Sequence, residues 1–124
     1  MSGVTLFRPV GEVELGLIAD SGWTRFPPRL PEQPIFYPVM NFDYAEQIAR
    51  DWNSKHEPTR TGYVLAMDMR GNPTGRWPVQ IAGGSVHKEL WVPAEELDDF
   101  NDLIEAPIRL VATYRDGAMV EKSA

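Results

Sequence analysis

Five prolines within twelve residues constrain what this chain can fold into more than any other feature of its sequence. They belong to the segment Trp23–Pro38 and stand at Pro27, Pro28, Pro31, Pro34 and Pro38. Each proline fixes its own φ and biases the preceding residue toward extended geometry, so the segment cannot form a regular helix. A long irregular segment in a small domain is typically a functional loop, a lid or a linker. A rigid wrap over the core is the alternative, and the sequence leaves both open.

The regular elements around this segment predict an α+β domain. Apolar and alternating runs predict strands at Val4–Arg8, Ile35–Tyr37, Gly62–Met69, Trp77–Ala82, Val86–Val92 and Ile108–Tyr114. Helical spacing and helix-start signals predict two main helices and one short one, at Glu12–Ser21, Phe42–Trp52 and Pro93 to about Leu103. Because helices and strands do not alternate regularly, we expect a mixed or antiparallel sheet in a single domain, residues 1–114. Residues 115–124 are predicted to be a flexible tail.

Apolar residues at helical spacing support both main helices. In the first helix, Val13, Leu17 and Ile18 recur near helical spacing, and Gly22 follows as a stop signal. In the second, Asn41 is a natural N-cap. Tyr44, Ile48 and Trp52 recur every four positions with Ala45 and Ala49 beside them, which predicts a compact apolar stripe with small residues for close approach.

Composition excludes several classes of function. The formal net charge of -6 and the scattered basic residues argue against a nucleic-acid-binding surface. With no cysteine in the chain, disulfides, thiolate metal sites and cysteine nucleophiles are excluded, and His56 and His87 are too isolated to suggest a metal site. No apolar run approaches the roughly 20 residues that span a bilayer, and the start lacks a secretory pattern. We therefore expect a cytoplasmic protein, with signal-less secretion left open.

Three short motifs occur in an order that is typical of a known superfamily. The first strand ends in Leu6-Phe7-Arg8. An aromatic strand then leads into a helix with small and apolar residues at Ala45, Ile48, Ala49 and Trp52. A later strand runs His87-Lys88-Glu89-Leu90-Trp91-Val92-Pro93. In these motifs the chain resembles the ADP-ribosyltransferase-like superfamily, especially short bacterial proteins labelled as ADP-ribosylation-type, and the resemblance spans about Val4 to Tyr114.

The resemblance implies a fold, a substrate and a set of site residues. The fold would be ADP-ribosyltransferase-like, the bound molecule NAD, and the reaction cleavage of the bond between nicotinamide and ribose. Glu89 matches the strand glutamate that stabilises the positive charge developing on the ribose. Arg8 would bind phosphate or ribose, and Tyr37 would stack on nicotinamide, with Tyr44 as a second candidate. His87 lies two residues before Glu89 on the same face of a strand and could act as an acceptor-side base.

Two departures from the superfamily pattern leave the activity open. The Ser-Thr-Ser motif of the second site strand is missing, because the local sequence is Phe36-Tyr37-Pro38. The paired Glu-x-Glu or Gln-x-Glu is replaced by His87-Lys88-Glu89. The chain would transfer ADP-ribose to an unknown protein or small-molecule acceptor, or would hydrolyse NAD. The alternative is a non-catalytic module that keeps the fold and uses the segment Trp23–Pro38 to contact a protein.

Overall fold

The computed structural model describes residues 3–81, 83–84 and 87–122. The strands are β1 (Thr5–Val10), β2 (Ile35–Phe36), β3 (Thr61–Met69), β4 (Val79–Ile81), β5 (Lys88–Leu90), β6 (Val92–Pro93), β7 (Ile104–Arg115) and β8 (Ala118–Lys122). The α-helices are α1 (Glu12–Asp20), α2 (Phe42–Ile48), α3 (Ser54–His56) and α4 (Leu97–Asp102). A π-helical turn, Ala49–Asn53, joins α2 to α3, and short 3-10 turns stand at Pro73–Gly75 and Ala94–Glu96.

The main sheet has four strands in the order β1-β3-β7-β8, and its pairings are antiparallel. Two further antiparallel pairs, β2 with β6 and β4 with β5, complete the strands of the described residues. Strand β3 is central and carries a run of buried side chains on both faces, from Val64 to Met67. The prediction of an α+β domain with antiparallel strands is confirmed.

Strand β1 continues past its predicted end at Arg8, through Pro9 to Val10. The N–H of Phe7 points away from β3, because it donates to the carbonyl of Val39 at 2.9 Å. Alternate residues of a strand direct their N–H groups to the same side, so the missing N–H of Pro9 also falls on the side away from β3. The proline therefore costs the main sheet no hydrogen bond.

Helix α1 forms where the sequence predicts it and is followed by Gly22 in the left-handed region, at a φ of 76°. Of the three apolar residues at helical spacing, Ile18 is buried, whereas Val13 and Leu17 are 75% and 48% exposed. Leu15 packs against the core instead, and the face with Val13 and Leu17 borders a surface cleft.

The second main helix is present as α2, the π turn and α3. Asn41 caps it as predicted, its side-chain oxygen accepting a first-turn N–H at 2.8 Å. The buried residues are the small ones, Ala45 and Ala49, whereas Trp52 is 59% exposed. The predicted stripe is therefore buried at its small residues, and it is wrong at Trp52. A π turn closes i to i+5 hydrogen bonds, so residues beyond Ala49 are rotated away from the α-helical spacing on which the prediction rested.

The proline-rich segment wraps over the core while leaving one side exposed. Phe26 and Phe36 are buried in the main core cluster. The side chain of Asn101 holds the backbone of Phe26 from both sides, accepting its N–H at 3.0 Å and donating to its carbonyl at 3.1 Å. Leu30 and Tyr37 remain exposed. Only Ile35–Phe36 of the predicted strand Ile35–Tyr37 is extended and paired, in β2.

The strands around the predicted Gly83-Gly84 break are shorter than expected. Trp77 is buried in the core ahead of β4, and Trp91 separates β5 from β6. Ala82 and Val86, where two predicted strands end and begin, lie outside the described residues. The predicted short helix is present as a 3-10 turn followed by α4, and β7 begins earlier and ends later than its predicted strand.

The described part of the predicted tail forms a strand. Strand β8 pairs with the end of β7 through a turn at Asp116 and Gly117, whose φ values are 51° and 85°. Two successive left-handed residues are typical of the tight turn that matches the twist of antiparallel strands, and Asp-Gly is a preferred sequence for it. The prediction of a flexible tail from residue 115 is therefore wrong for residues 115–122.

Candidate functional site

One backbone position links the two strands that carry the predicted site residues. Val39 forms antiparallel bridges with Phe7 on one side and with Glu89 on the other. Its N–H donates to the carbonyl of Phe7 at 2.8 Å, and its carbonyl accepts the N–H of Phe7 at 2.9 Å. The N–H of Leu90 donates to the carbonyl of Pro38 at 2.9 Å. Through Val39, the end of β1 and the middle of β5 become neighbours although about eighty residues separate them.

A cleft of about 490 Å³ opens at this junction, and we call it the Glu89 cleft. Three of the residues predicted to form the site, Arg8, Tyr37 and Glu89, line it together. The other residues on its wall are Pro9, Val39, Ile48, Asn53 and Trp91. Arg8 and Glu89 are themselves buried, whereas Tyr37 and Trp91 are the exposed side chains of the wall.

Glu89 is a buried carboxyl that is held by two aromatic side chains. The hydroxyl of Tyr44 donates to its Oε1 at 3.4 Å, and Trp91 provides a second side-chain hydrogen bond. Burial raises the pKa of Glu89 above its ordinary value, and the hydrogen bonds from Tyr44 and Trp91 and the nearby His87 oppose that rise. A carboxyl whose pKa is shifted by burial inside a cleft is a feature of acid-base and electrostatic sites.

Arg8 is fixed by an ion pair that the sequence did not predict. Its Nε donates to Oε2 of Glu14 at 2.6 Å and its Nη2 to Oε1 at 2.9 Å, in the two-pronged geometry that suits a guanidinium and a carboxylate. Its Cζ lies 4.5 Å from the ring centroid of Phe36. Nη1 makes only a 3.5 Å contact with the carbonyl of Tyr37. Any anion that binds Arg8 must therefore use Nη1 or displace Glu14.

Tyr37 and Trp91 form an aromatic mouth to the cleft. Their rings meet edge to face with centroids 6.2 Å apart, and the side chains are 40% and 47% exposed. Aromatic side chains left exposed at a concave site are available for stacking on a planar ligand. This arrangement fits the predicted stacking role of Tyr37.

His87 and Tyr44 stand beside Glu89 and not on the wall of the cleft. Their rings stack with centroids 4.5 Å apart. Nδ1 of His87 accepts the N–H of Gly84 at 3.3 Å, which leaves Nε2 to donate to Oε1 of Gln47 at 3.0 Å. Both ring nitrogens are thus engaged, so an acceptor-side base at His87 would first have to break a hydrogen bond. The hydroxyl of Tyr44 orients Glu89. The pKa of that hydroxyl is raised, mainly by burial and secondly by the negative charge of Glu89.

Asn53 is a candidate site residue that the sequence reasoning missed. It ends the π turn and lines both the Glu89 cleft and the cleft next to it. Its Nδ2 donates to Glu57 at 3.4 Å, whereas its Oδ1 is buried without a hydrogen-bond partner among the described residues. Gly62 of β3 allows the π turn to approach, because a side chain there would collide with the backbone oxygen of Ala49. No periodic pattern signals a π turn, so this placement had no sequence signature.

The described part of the chain lacks two features. Its His, Asp and Glu side chains form no cluster that could hold a metal ion. None of its helices is long and apolar enough to cross a membrane.

The chain matches no protein-family model, no curated protein and no solved structure. The likeness to the ADP-ribosyltransferase-like superfamily therefore rests on the three sequence motifs, and the function must be argued from the geometry of the cleft.

Proposed function

We propose that this protein binds NAD in the Glu89 cleft and breaks the bond between nicotinamide and ribose, passing ADP-ribose to an acceptor. The observation that carries the proposal is that Arg8, Tyr37 and Glu89, from three separate parts of the chain, line one cleft. These are the residues to which the superfamily resemblance assigns binding and catalysis. The cleft volume of about 490 Å³ also falls in the range of roughly 300–1,000 Å³ that is typical of small-molecule sites.

The groups of the cleft have the chemistry that this reaction needs. When nicotinamide leaves NAD with the electron pair of the broken bond, positive charge develops on the ribose. A carboxylate beside the ribose stabilises that charge, and Glu89, oriented by the Tyr44 hydroxyl, is suited to this role. The exposed ring of Tyr37 offers a stacking surface for nicotinamide, and Nη1 of Arg8 offers a donor for a phosphate or ribose oxygen.

The identity of the acceptor separates transfer from hydrolysis. A protein or small-molecule nucleophile would give transfer, and water would give hydrolysis of NAD. His87, which replaces the first residue of the family's paired motif, has both ring nitrogens in hydrogen bonds. We therefore assign catalysis to Glu89 and give His87 a supporting role through its stacking on Tyr44.

A second candidate function is a non-catalytic module that binds a protein. The observation that favours it is the exposure of Leu30 on the proline-rich segment, next to Val13 and Leu17 of α1. Exposed apolar side chains grouped on one side of a domain are typical of interaction surfaces. This function does not require Glu89, so substituting Glu89 should leave protein binding unchanged.

Release of nicotinamide from NAD by the purified protein tests the proposal. We expect Glu89→Gln to lower the rate by about 100-fold or more, since a group that stabilises transition-state charge in a buried site contributes factors of that size. Glu105→Gln is the matched control, because Glu105 is an exposed glutamate of β7 that lines neither cleft. Release at equal rates by wild type and Glu89→Gln would refute the assignment. A wild type without release would favour the protein-binding module.

A further inference from the structure

Arg29, in the proline-rich segment, is a half-buried cation that pairs with no carboxylate of the described residues. Six of the nine arginines pair with a carboxylate of the described residues: Arg8, Arg25, Arg50, Arg60, Arg76 and Arg109. Of the other three, Arg70 and Arg115 are exposed, where water screens their charge. Only Arg29 combines partial burial with the lack of such a partner. Buried charges are normally paired, so this arginine needs an explanation.

The hydrogen bonds of Arg29 leave much of its guanidinium unused. Nη2 donates to the carbonyl of Ile35 at 3.1 Å, whereas Nε is buried without a partner among the described residues. A buried donor without an acceptor costs free energy. Burial and the nearby charge of Arg8 lower the pKa of Arg29, so its environment disfavours the bare cation.

Arg29 and Arg8 lie against the same aromatic ring. Their Cζ atoms lie 5.6 and 4.5 Å from the ring centroid of Phe36. Glu14 is the nearby carboxylate, and both prongs of its carboxyl group are engaged by Arg8. The pair of arginines therefore carries one uncompensated positive charge, in a chain whose formal net charge is -6. An anion placed against this arginine pair would compensate that local charge.

Both arginines line a second cleft of about 380 Å³, which we call the proline cleft. It adjoins the Glu89 cleft, and Arg8, Pro9 and Asn53 line both. Its apolar lining residues are Val13, Leu17, Pro27, Pro28 and Leu30. Glu57 also lines it and accepts a hydrogen bond from Nδ2 of Asn53 at 3.4 Å, so the two arginines and two glutamates on the wall balance in formal charge and the positive charge is local to the arginine pair.

We propose that the proline cleft binds an oxyanion, a phosphate or a carboxylate, through Arg29 beside Arg8, with an apolar part of the same ligand lying against Leu17 and Leu30. Forked guanidinium donors match the geometry of both oxyanions, and the exposed side chains of Leu17 and Leu30 gain from being covered. The site does not depend on the reaction proposed for the Glu89 cleft, because Arg29 lines only the proline cleft of the two.

Titration of the protein with phenyl phosphate, benzoate and inorganic phosphate at constant ionic strength, followed by amide and arginine Nε–H NMR signals, tests the site. We expect saturable shifts at Arg29 and Leu30 with at least one of the two aromatic anions, and weaker binding of inorganic phosphate, which lacks the apolar part. The aromatic anion that binds with the higher affinity identifies the preferred oxyanion. None of these probes contains nicotinamide or ribose, so the outcome is separate from that of the NAD reaction.

Three variants decide whether Arg29 is responsible. Arg29→Gln is expected to weaken binding about tenfold or more, as the loss of a charge-assisted contact does. Arg25→Gln is the matched control from the same segment, because Arg25 is paired with Asp98 and Asp102, and we expect it to leave affinity unchanged. Glu14→Gln removes the competing carboxylate and is expected to strengthen binding. No saturable shift with either aromatic anion, equal losses in Arg29→Gln and Arg25→Gln, or weaker binding in Glu14→Gln would overturn the proposal.

Discussion

The hydroxyl of Tyr44 donates a hydrogen bond to Oε1 of Glu89 at 3.4 Å, and this contact ties α2 to β5 at the back of the Glu89 cleft. It crosses 45 positions of sequence and joins a helix residue to a strand residue. The contact favours the ionised carboxylate and so opposes the effect of burial on Glu89.

The substitution Tyr44→Phe removes this hydrogen bond while keeping the ring that stacks on His87. Because the bond stabilises the charged form, we expect the pKa of Glu89 to rise further in the variant. Any nicotinamide release that depends on ionised Glu89 should then need a higher pH. A carbon NMR titration of the Glu89 carboxyl measures the shift directly. A pKa that stays the same or falls in Tyr44→Phe would contradict the assigned contact.

The raised pKa of Glu89 also predicts a pH dependence of folding stability. A carboxyl whose pKa is higher in the folded than in the unfolded state binds its proton more tightly when folded. Its favourable contribution is complete below the unfolded pKa, taken as the ordinary value of 4.5, and is lost as pH rises through the raised folded value. We therefore expect wild type to lose stability relative to Glu89→Gln as pH rises across that window.

Urea unfolding of both proteins from about pH 4 to pH 8 measures this trend, since the midpoint follows stability when the slope is unchanged. Glu105→Gln controls for the loss of one negative charge from an exposed strand position. A difference between wild type and Glu89→Gln that is constant across the range would contradict a raised pKa for Glu89.

Gly62 is predicted to be essential for the close approach between β3 and the π turn. A side chain at Gly62 would collide with the backbone oxygen of Ala49 and stand 2.7 Å from Cβ of Asn53. We expect Gly62→Ala to destabilise the fold by about 1–3 kcal/mol, the usual cost of overpacking, and to displace Asn53 from the two clefts. Chemical denaturation and the amide signal of Asn53 report the two effects.

Gly16→Ala is the matched control for Gly62→Ala. Gly16 lies in α1, and a side chain there would meet nothing within 4 Å. Replacing a glycine in a helix interior by alanine should stabilise the protein by roughly 0.5–1 kcal/mol. If both substitutions changed stability equally, the close approach at Gly62 would not be the cause.

The elements that could be predicted from sequence are those whose local signals agree with their surroundings. The alternation from Gly62 to Met69 predicted β3, and the polar cap at Asn41 predicted the start of α2. The turn at Asp116 and Gly117 carried an equally local signal, and it was missed because the exposed strand that follows has no alternating apolar pattern. Which helical side chains are buried was harder to predict from the sequence. Leu17, for example, faces a cleft that only tertiary packing creates.

The residues of the candidate site could be predicted in part, because some of them belong to recognisable sequence motifs. Arg8, Tyr37 and Glu89 could be singled out by their motifs, and the backbone bridges of Val39 explain why they meet. The hydrogen bonds and ion pairs that determine the chemistry of each site residue could not be predicted from the sequence. The pairing of Arg8 with Glu14 comes from the packing of α1 beside β1, which the sequence does not specify.

The central claim, that the Glu89 cleft binds NAD, is tested most directly by ligand-observed NMR of the purified protein with millimolar NAD. We predict saturation transfer to the nicotinamide protons with wild type and its loss with Arg8→Ala, in a variant whose amide spectrum shows that it is folded. Arg109→Ala is the matched control, because Arg109 is an ion-paired arginine of β7 that lines neither cleft, and it should retain the signal. Saturation transfer that persists in Arg8→Ala, or none with wild type, would contradict the claim.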